Sequence, residues 1–436
     1  MTKNIASAAL IALSLSLSAC TGGEGESDTN TTNTTNGTDD CVDGAEVTAD
    51  ITEDTTWSCD VVLGAIVTVN NNATLTIEPG VTVRGKSGSA LVINQGSKLI
   101  AEGAEDAPIV LTSSQAPGAR SRGDWGGLVL LGDAPINLAG GTGIAEGFQG
   151  EVKYGGNDPT SSCGSLKYLR VEFAGFELTT DNELNAITFY GCGSGTVVDH
   201  VQTHMGDDDG FEMFGGGFDA SHLVASGIGD DSLDIDQGFS GKLQHIFIHQ
   251  DPADGNYAFE ISNQDVNLDA TPRTAPMIAN VTAVGGDSPK SAALKLKEGA
   301  AGEFHNMIIT NFNGAQVDLT ETQTEDQAAT GEIVIKNSLF FGNNRGGSGL
   351  YIVSEASTFD LQGFVEDAAS GNLFDVDPKL GSAAWGAPNI VPAAGSPALN
   401  GVRPPADFTG EPSDFIGAVK DEASDFTQGW TNYAPN

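Results

Sequence analysis

Three segments of this chain share one pattern although they are unevenly spaced. Each has a polar turn followed by apolar–acidic–apolar alternation, and the segments are 208–216, 230–238 and 255–263. Their central acids are Glu212, Asp234 and Glu260, which lie 22 and 26 residues apart. Strands that recur at such intervals between Gly and Asp turns are typical of a parallel β-solenoid, which stacks equivalent residues about 4.8 Å apart. The spacing therefore predicts that acids remote in the sequence form a column in space.

Short strands with alternating apolar residues follow one another from Trp57 onward, and Gly-rich turns separate them. The 57 glycines among 436 residues fit an all-β chain. Several motifs resemble those of exported right-handed parallel β-helix proteins: ATLTIEPGVTVRG, GSKLIAEGAEDAPIVLTS, GDWGGLVLLG, YLRVEFAG, SPALNG and FIGAVKD. The resemblance covers most of 57–436 and implies a single-stranded right-handed parallel β-helix. Such proteins include surface lipoproteins, and a related architecture carries polysaccharide lyases and hydrolases, so the fold does not select an activity.

The first 20 residues have the form of a bacterial export signal. Lys3 precedes an apolar run over 5–17 that is short for a membrane-spanning helix. The segment ends in Leu-Ser-Ala-Cys, which resembles the lipobox and implies a lipid on Cys20. By the same resemblance, Thr21 is compatible with sorting to the outer membrane. An ordinary cleaved signal with a coincidental cysteine is the alternative.

The remainder of the chain is predicted to have three parts. The polar segment 21–40 has no large apolar residue and is expected to be a disordered tether. Residues 41–342 are predicted to form the β-helix with an N-terminal cap. Residues 343–436 have sparse strand patterning and are expected to cover the open C-terminal edge of the solenoid. The candidate capping contacts are Trp385, Phe408, Phe415 and Trp430.

The four cysteines beyond Cys20 are an even number, and an exported chain permits disulfides. Four cysteines allow three pairings. We favour Cys41–Cys59 and Cys163–Cys192 because these pairings are local in the sequence.

The formal net charge of −40 constrains the partners of this chain. It argues against nucleic acid and against anionic lipid head groups bound through a basic patch. It suits divalent cations, and a generally acidic exported surface is the alternative. The predicted membrane contact is the lipid anchor, and we expect a monomer.

A second column of polar residues precedes apolar residues at similar intervals. It comprises His200, His222, His245, Asn280 and Asn306, with Asn337 as a candidate extension. Because the histidines continue as asparagines, we interpret the column as a hydrogen-bonding ladder at a turn. A metal site made by the three histidines is the alternative.

The strands after the acidic turns predict a cation site. Their alternation places Phe211 and Met213, with their equivalents, inward and places Glu212, Asp234, Glu260 and Lys295 outward. An adjacent outward column is predicted to contain Asp236, Ser262 and Lys297. Stacked carboxylates repel one another, and Ca²⁺, which takes six to eight oxygen ligands, would offset the repulsion. The candidate metal ligands are Asp207, Asp208, Asp209, Glu212, Asp230, Asp231, Asp234, Asp236, Asp254 and Glu260.

Two functions of different classes follow from these residues. The leading interpretation is a non-catalytic module of the bacterial envelope that binds Ca²⁺ and acidic polysaccharide for adhesion. The alternative is a Ca²⁺-dependent polysaccharide lyase or glycoside hydrolase. In that enzyme Lys295 would be the base, while Glu212, Asp234 and Glu260 would hold the ion or act as catalytic carboxylates. The sequence contains no GxSxG or HExxH motif that would select another chemistry.

Overall fold

In a computed structural model of the protein, parallel strands stack into two long sheets. The structure describes residues 41–148, 152–179, 182–405, 408 and 413–436. The predicted export signal, Cys20 and the tether at 21–40 lie outside the described residues.

The first sheet has ten strands, and every neighbouring pair is parallel. These strands are β4 (Ile66–Val69), β7 (Ala90–Ile93), β10 (Leu128–Leu131), β16 (Ile187–Tyr190), β18 (Phe211–Phe214), β20 (Leu233–Asp236), β22 (Tyr257–Ser262), β24 (Ala292–Lys297), β26 (Val317–Leu319) and β29 (Tyr351–Val353).

The second sheet has sixteen strands. They are β1 (Ala45–Val47), β2 (Thr55–Trp57), β3 (Val61–Leu63), β5 (Thr74–Ile77), β6 (Thr82–Gly85), β8 (Lys98–Glu102), β9 (Ile109–Ser113), β13 (Gly164–Glu172), β17 (Val197–His204), β19 (Ala220–Ser226), β21 (Lys242–His249), β23 (Met277–Val284), β25 (Gly302–Thr310), β27 (Ile333–Lys336), β28 (Leu339–Phe341) and β30 (Leu373–Phe374).

A bend divides the second sheet into two faces. The first half of β13 pairs with β8 and its second half pairs with β9, while Tyr168 between them pairs with neither. Tyr168 has a φ of 45°, and the equivalent residues of later coils have φ values between 52° and 59°. This left-handed backbone conformation bends the strand at a corner of the coil. Asn and His tolerate the conformation better than most residues. We call these residues the bend column: Tyr168, His200, His222, His245, Asn280, Asn306 and Asn337.

Each coil therefore contributes strands to three faces that surround one core. Within each face the strands are parallel. In β5, Leu75 and Ile77 point inward and are buried, while the alternating residues Thr74 and Thr76 are only partly buried. Later coils fill the interior with larger side chains such as Phe211, Phe259 and Phe304, each fully buried. The prediction of an all-β parallel β-helix is confirmed, and its right-handed sense stays a prediction.

The residues after 342 first continue both sheets, because β29 and β30 extend them. The described residues of 380–436, here called the tail, then lie along the flank of the second sheet, where the Trp430 carbonyl accepts a hydrogen bond from Arg170 Nη1. The outward residues Val224 and Phe247 are apolar and pack against the tail, which explains this course.

The tail also bonds to three residues of the bend column. His245 Nδ1 lies 3.0 Å from the carbonyl oxygen of Ala418, and Asn280 Nδ2 donates to the carbonyl of Phe415 at 2.8 Å. Asn306 Nδ2 donates to the carbonyl of Val402 at 2.7 Å. These three residues of the predicted ladder thus bond to the tail, because the bend aims their polar groups outward.

Smaller elements complete the described chain. The antiparallel pairs are β11 (Gly143–Ile144) with β12 (Lys153–Tyr154), β14 (Glu177–Thr179) with β15 (Asn182–Glu183), and β31 (Leu380–Ser382) with β32 (Asn389–Pro392). The α-helices are α1 (Thr322–Thr330) and α2 (Leu361–Val365), and short 3₁₀ turns span Ala368–Ser370, Pro397–Leu399 and Glu422–Ser424. None of the helices in the described ranges has the length and apolar character needed to span a bilayer.

Two disulfides join the cysteines of the described chain. They are Cys41–Cys59 and Cys163–Cys192, the pairing that is local in the sequence. The second pair is fully buried and links the loop before β13 to the end of β16.

Candidate cation-binding site

The first sheet brings the predicted acids together on its outward side. Glu212 pairs in register with Asp234, Asp234 with Glu260, and Glu260 with Lys295. We call Glu212, Asp234 and Glu260 the acidic column. Glu212 and Glu260 are only 7% and 9% exposed, so the column points away from the core yet is covered by neighbouring side chains.

A ladder of side chains fixes the turn that precedes each of these strands. Asp209 donates its backbone N–H to Asn185 Oδ1 at 3.0 Å, and Asp231 donates its own to Asp209 Oδ1 at 2.9 Å. Tyr257 in the next coil donates its N–H to Asp231 Oδ1 at 2.6 Å. One oxygen of each aspartate therefore has a structural role, which is the usual use of Asp in turns.

The turn acids and the acidic column meet in three overlapping groups of three carboxylates. In each group one oxygen per residue lies within 4.8 Å of the others. The groups are Asp208–Asp209–Asp230, Asp209–Glu212–Asp234 and Asp231–Asp234–Glu260. Since Ca²⁺–oxygen distances are about 2.4 Å, two oxygens on opposite sides of one ion are about 4.8 Å apart. The spacing is therefore compatible with oxygen ligands that share an ion.

Burial and mutual repulsion disfavour the charged form of these carboxyls. The pKa values of Asp209, Glu212, Asp231 and Asp234 all lie well above the usual carboxyl range, and removal from water is the largest cause for each. Asp234 adds to the rise for Asp209, and Glu260 adds to it for Asp231 and Asp234. Without a counter-ion, protons would have to relieve this repulsion.

One carboxylate oxygen at the centre of the cluster lacks a hydrogen bond. Asp234 Oδ1 is buried and has no hydrogen-bond partner among the described residues. Asp318 Oδ1 is likewise buried without a hydrogen-bond partner among the described residues. Asp318 lies in the same outward row, one strand after Lys295, and is 5% exposed. Buried polar atoms are normally satisfied, so these oxygens indicate ligands for an ion or water.

Two lysines neutralise one end of the acidic column. Lys297 Nζ forms an ion pair with Glu260 Oε1, and Lys295 Nζ lies 3.7 Å from Glu260 Oε2. Lys295 Nζ also lies 5.0 Å from the centre of the Tyr257 ring, which is within cation–π range. Among the described residues, no lysine or arginine forms an ion pair with Glu212 or Asp234, so the other end keeps its excess negative charge.

The remaining candidate ligands lie outside the three groups. Asp254 Oδ2 is 3.6 Å from Arg122 Nη1, so it has a basic partner of its own. Asp236 stands in the adjacent outward column, and burial raises its pKa to about 8. Asp207 belongs to the same turn region but is not a member of a group.

Sequence reasoning missed Asn185 and Asp318. Asn185 Nδ2 donates to Glu212 Oε2, and Asp318 Oδ2 accepts from the Tyr257 hydroxyl at 2.9 Å. The signal for Asp318 was present, since Val317–Leu319 repeats the apolar–acidic–apolar pattern one coil after Lys295. Asn185 gave a weaker signal, because its coil has Thr188 where the later coils have acids.

Stacked parallel strands with an outward cluster of acids define a parallel β-helix protein with a candidate cation site. A family model described as a pectate-lyase like beta helix domain matches residues 49–377. The chain belongs to this family. Membership supports at most a polysaccharide-related role at the cell surface. Neither a curated protein nor a solved structure matches the chain.

Proposed function

We propose that the protein is a lipid-anchored, non-catalytic module of the bacterial envelope, at the outer membrane, that binds Ca²⁺ and through it acidic polysaccharide. The observation that supports it most is the buried carboxylate cluster around Asp234, whose Oδ1 has no hydrogen-bond partner among the described residues. An all-oxygen set of carboxylates is the ligand set that Ca²⁺ prefers. An ion held near the surface of the sheet would also attract the carboxylates of an acidic glycan.

The surroundings of Lys295 support ion binding more directly than proton abstraction. Lys295 and Lys297, at the end of the acidic column, both pair with Glu260. Lys295 also faces the Tyr257 ring. A lyase base must reach a substrate proton, whereas a charge that balances Glu260 needs no such access. The lyase or hydrolase alternative stays a prediction. New unsaturated ends in an acidic polysaccharide, lost on Lys295→Ala, would support it.

The deciding experiment is a Ca²⁺ titration of chelator-treated protein in which the thermal unfolding midpoint is measured at each concentration. Ca²⁺ that binds only the folded state must raise the unfolding midpoint, and the rise must grow with concentration. Asp234→Asn should remove this response. The same substitution should raise the midpoint measured in chelator at pH 8, because it removes one of several repelling charges.

Asp254→Asn is the matched control, since Asp254 pairs with Arg122 outside the three groups. This variant should keep the Ca²⁺ response. If Asp234→Asn instead lowered the midpoint equally with and without Ca²⁺, Asp234 would be a structural residue and the proposal would fail. An acidic polysaccharide that bound equally well in Ca²⁺ and in chelator would contradict the second part of the proposal.

A further inference from the structure

A cavity of about 730 Å³ lies between the bend column and the tail. Tyr168, His200, His222 and His245 line one side of it. The tail contributes Phe426 and Trp430 together with acidic residues of the 421–425 turn. The volume falls in the range of ligand sites, and imidazole nitrogens and carboxylates are the chief polar groups on its walls.

Asp199 contacts two of the imidazoles that line this cavity. Its Oδ1 lies 2.7 Å from His222 Nδ1 and 3.1 Å from His200 Nδ1. Ser221 Oγ donates to the same Oδ1 at 2.9 Å, which fixes the orientation of the carboxylate. One carboxylate oxygen and one nitrogen from each ring lie within 4.8 Å of one another.

The fold holds the two imidazoles in place before any ligand arrives. His200 and His222 occupy successive positions of the bend column, with φ values of 55° and 58°. Their rings stack with centroids 4.2 Å apart.

Two ring nitrogens on this wall lack hydrogen-bond partners among the described residues. His200 Nδ1 is buried, and its approach to Asp199 does not have hydrogen-bond geometry. His245 is 6% exposed, and its Nε2 is buried and unpaired while its Nδ1 lies 3.0 Å from the Ala418 carbonyl. Unsatisfied buried nitrogens indicate that the wall is built for something besides the tail.

We propose that Asp199, His200 and His222 bind one divalent transition-metal ion of the Zn²⁺ class, with its remaining coordination positions facing the cavity. Imidazole nitrogen suits Zn²⁺, Co²⁺, Ni²⁺ and Cu²⁺, whereas the all-carboxylate cluster suits Ca²⁺. The molecule would therefore hold two ions of different chemistry at two separate columns.

The separations come close to those around such an ion. Ligands about 2.1 Å from one tetrahedral ion are about 3.4 Å apart. The two nitrogen–oxygen distances at Asp199, 2.7 and 3.1 Å, are shorter, so the carboxylate and the rings would separate by a few tenths of an ångström to admit the ion. A neutral histidine that coordinates through Nδ1 carries its proton on Nε2, so the ion takes the place of the hydrogen bond between His222 and Asp199. Three protein ligands leave room for water or a small ligand from the cavity.

The test is Zn²⁺ binding to the chelator-treated full chain by calorimetry, in saturating Ca²⁺ so that the carboxylate cluster does not compete. We expect saturable binding of one ion per chain. His222→Asn keeps a residue that the bend column already uses at 280, and it should weaken binding about 10- to 100-fold. Asp199→Asn should weaken it to a similar extent. Co²⁺ in place of Zn²⁺ should give visible absorption bands of an ion with nitrogen ligands.

His305→Asn is the control, because His305 Nε2 lies 3.0 Å from Glu303 Oε2 in a pair with only one imidazole. This variant should bind Zn²⁺ like the unaltered protein. Circular dichroism and the unfolding midpoint show whether each variant folds. The proposal is overturned if folded protein binds no Zn²⁺ saturably, if His222→Asn and Asp199→Asn bind like the unaltered chain, or if His305→Asn weakens binding equally.

Discussion

The acidic column and the bend column arise from the same coiling but have different surroundings. Both bring together residues more than 20 positions apart in the sequence. The bend column is covered by the tail, whose backbone carbonyls accept hydrogen bonds from Asn280 and Asn306 and bond His245. At the acidic column, the lysines pair with Glu260 at one end, and the carboxyls at the other end have raised pKa values.

This difference shows what a stacked column can and cannot indicate. Where the chain itself supplies partners for every polar atom, a repeated polar residue is sufficiently explained by the fold. Where it leaves like charges buried together, the fold is destabilised unless protons or cations join it. The polar groups that the chain does not fully satisfy are thus the carboxylates around Asp234 and the group that Asp199 forms with His200 and His222 of the bend column.

The largest expected effect is an opposite response of the buried carboxyls and the buried histidines to pH in the presence of chelator. The raised pKa of each buried carboxyl means that the folded state keeps its proton to higher pH than the unfolded chain does. Stability contributed by these groups is therefore lost as pH rises, for Asp236 between about 4 and about 8. We expect the unfolding midpoint to fall between pH 6.5 and pH 8, by a smaller amount in Asp236→Asn, and Ca²⁺ should reverse the fall.

The histidines supply the control for this prediction. Burial lowers the pKa of His245 and of His249 to about 4, so the folded state binds fewer protons than the unfolded chain below about 6.5. Stability from these groups is present above about pH 6.5 and is lost as pH falls towards 4. His245→Asn should reduce the loss on the acid side only. A midpoint in chelator that stays level or rises from pH 6.5 to pH 8 would contradict the raised carboxyl pKa values.

A smaller effect is expected at a bend-column residue whose side-chain polar atoms all have hydrogen-bond partners. Asn280→Ala should destabilise the protein by about 2–3 kcal/mol, because Ala is strained in the left-handed region and loses the side-chain hydrogen bonds. Asn280 has a φ of 57° and is fully buried. Asn280→Gly removes the same bonds without the backbone strain and should lose less stability. Urea unfolding measures both variants, and equal losses would show that the bend does not strain its residues.

The sequence predicted the column of Glu212, Asp234 and Glu260 because strict alternation in the strands fixes the register. Alternation also separated inward Phe211 from outward Glu212. These features depend on neighbours within one strand or one coil. The uneven intervals did not hinder the prediction, since the extra residues lie in turns.

Other features depend on contacts that local patterns do not encode. The hydrogen bond between Arg170 and Trp430 joins residues 260 positions apart. Nothing in the strand pattern shows that the tail runs back along the flank and encloses a cavity beside His200 and His222. The burial of Glu212 was likewise not predictable from alternation, because it depends on Asn185 and other side chains from neighbouring loops.

The smallest expected effect separates charge from packing at the end of the acidic column. Lys297→Met removes the ammonium that pairs with Glu260 but keeps an unbranched side chain of similar length. Burial opposes the charged form of Lys297, yet the Glu260 carboxylate outweighs this and raises the lysine pKa. The lysine side chain is 26% exposed, so the loss should be about 1–2 kcal/mol, between the values for exposed and buried pairs.

A double-mutant cycle assigns that loss to the ion pair. Glu260→Gln alone removes a repelling carboxylate but leaves Lys295 and Lys297 without their shared partner. If the pair is the cause, Lys297→Met should cost less in the Glu260→Gln background than in the unaltered protein, as urea unfolding can measure. Equal costs in the two backgrounds would mean that Lys297 stabilises the sheet by packing its methylenes. The lysines would then neutralise the carboxylates of the acidic column less than their positions indicate. Those carboxylates would gain more stability from a bound cation.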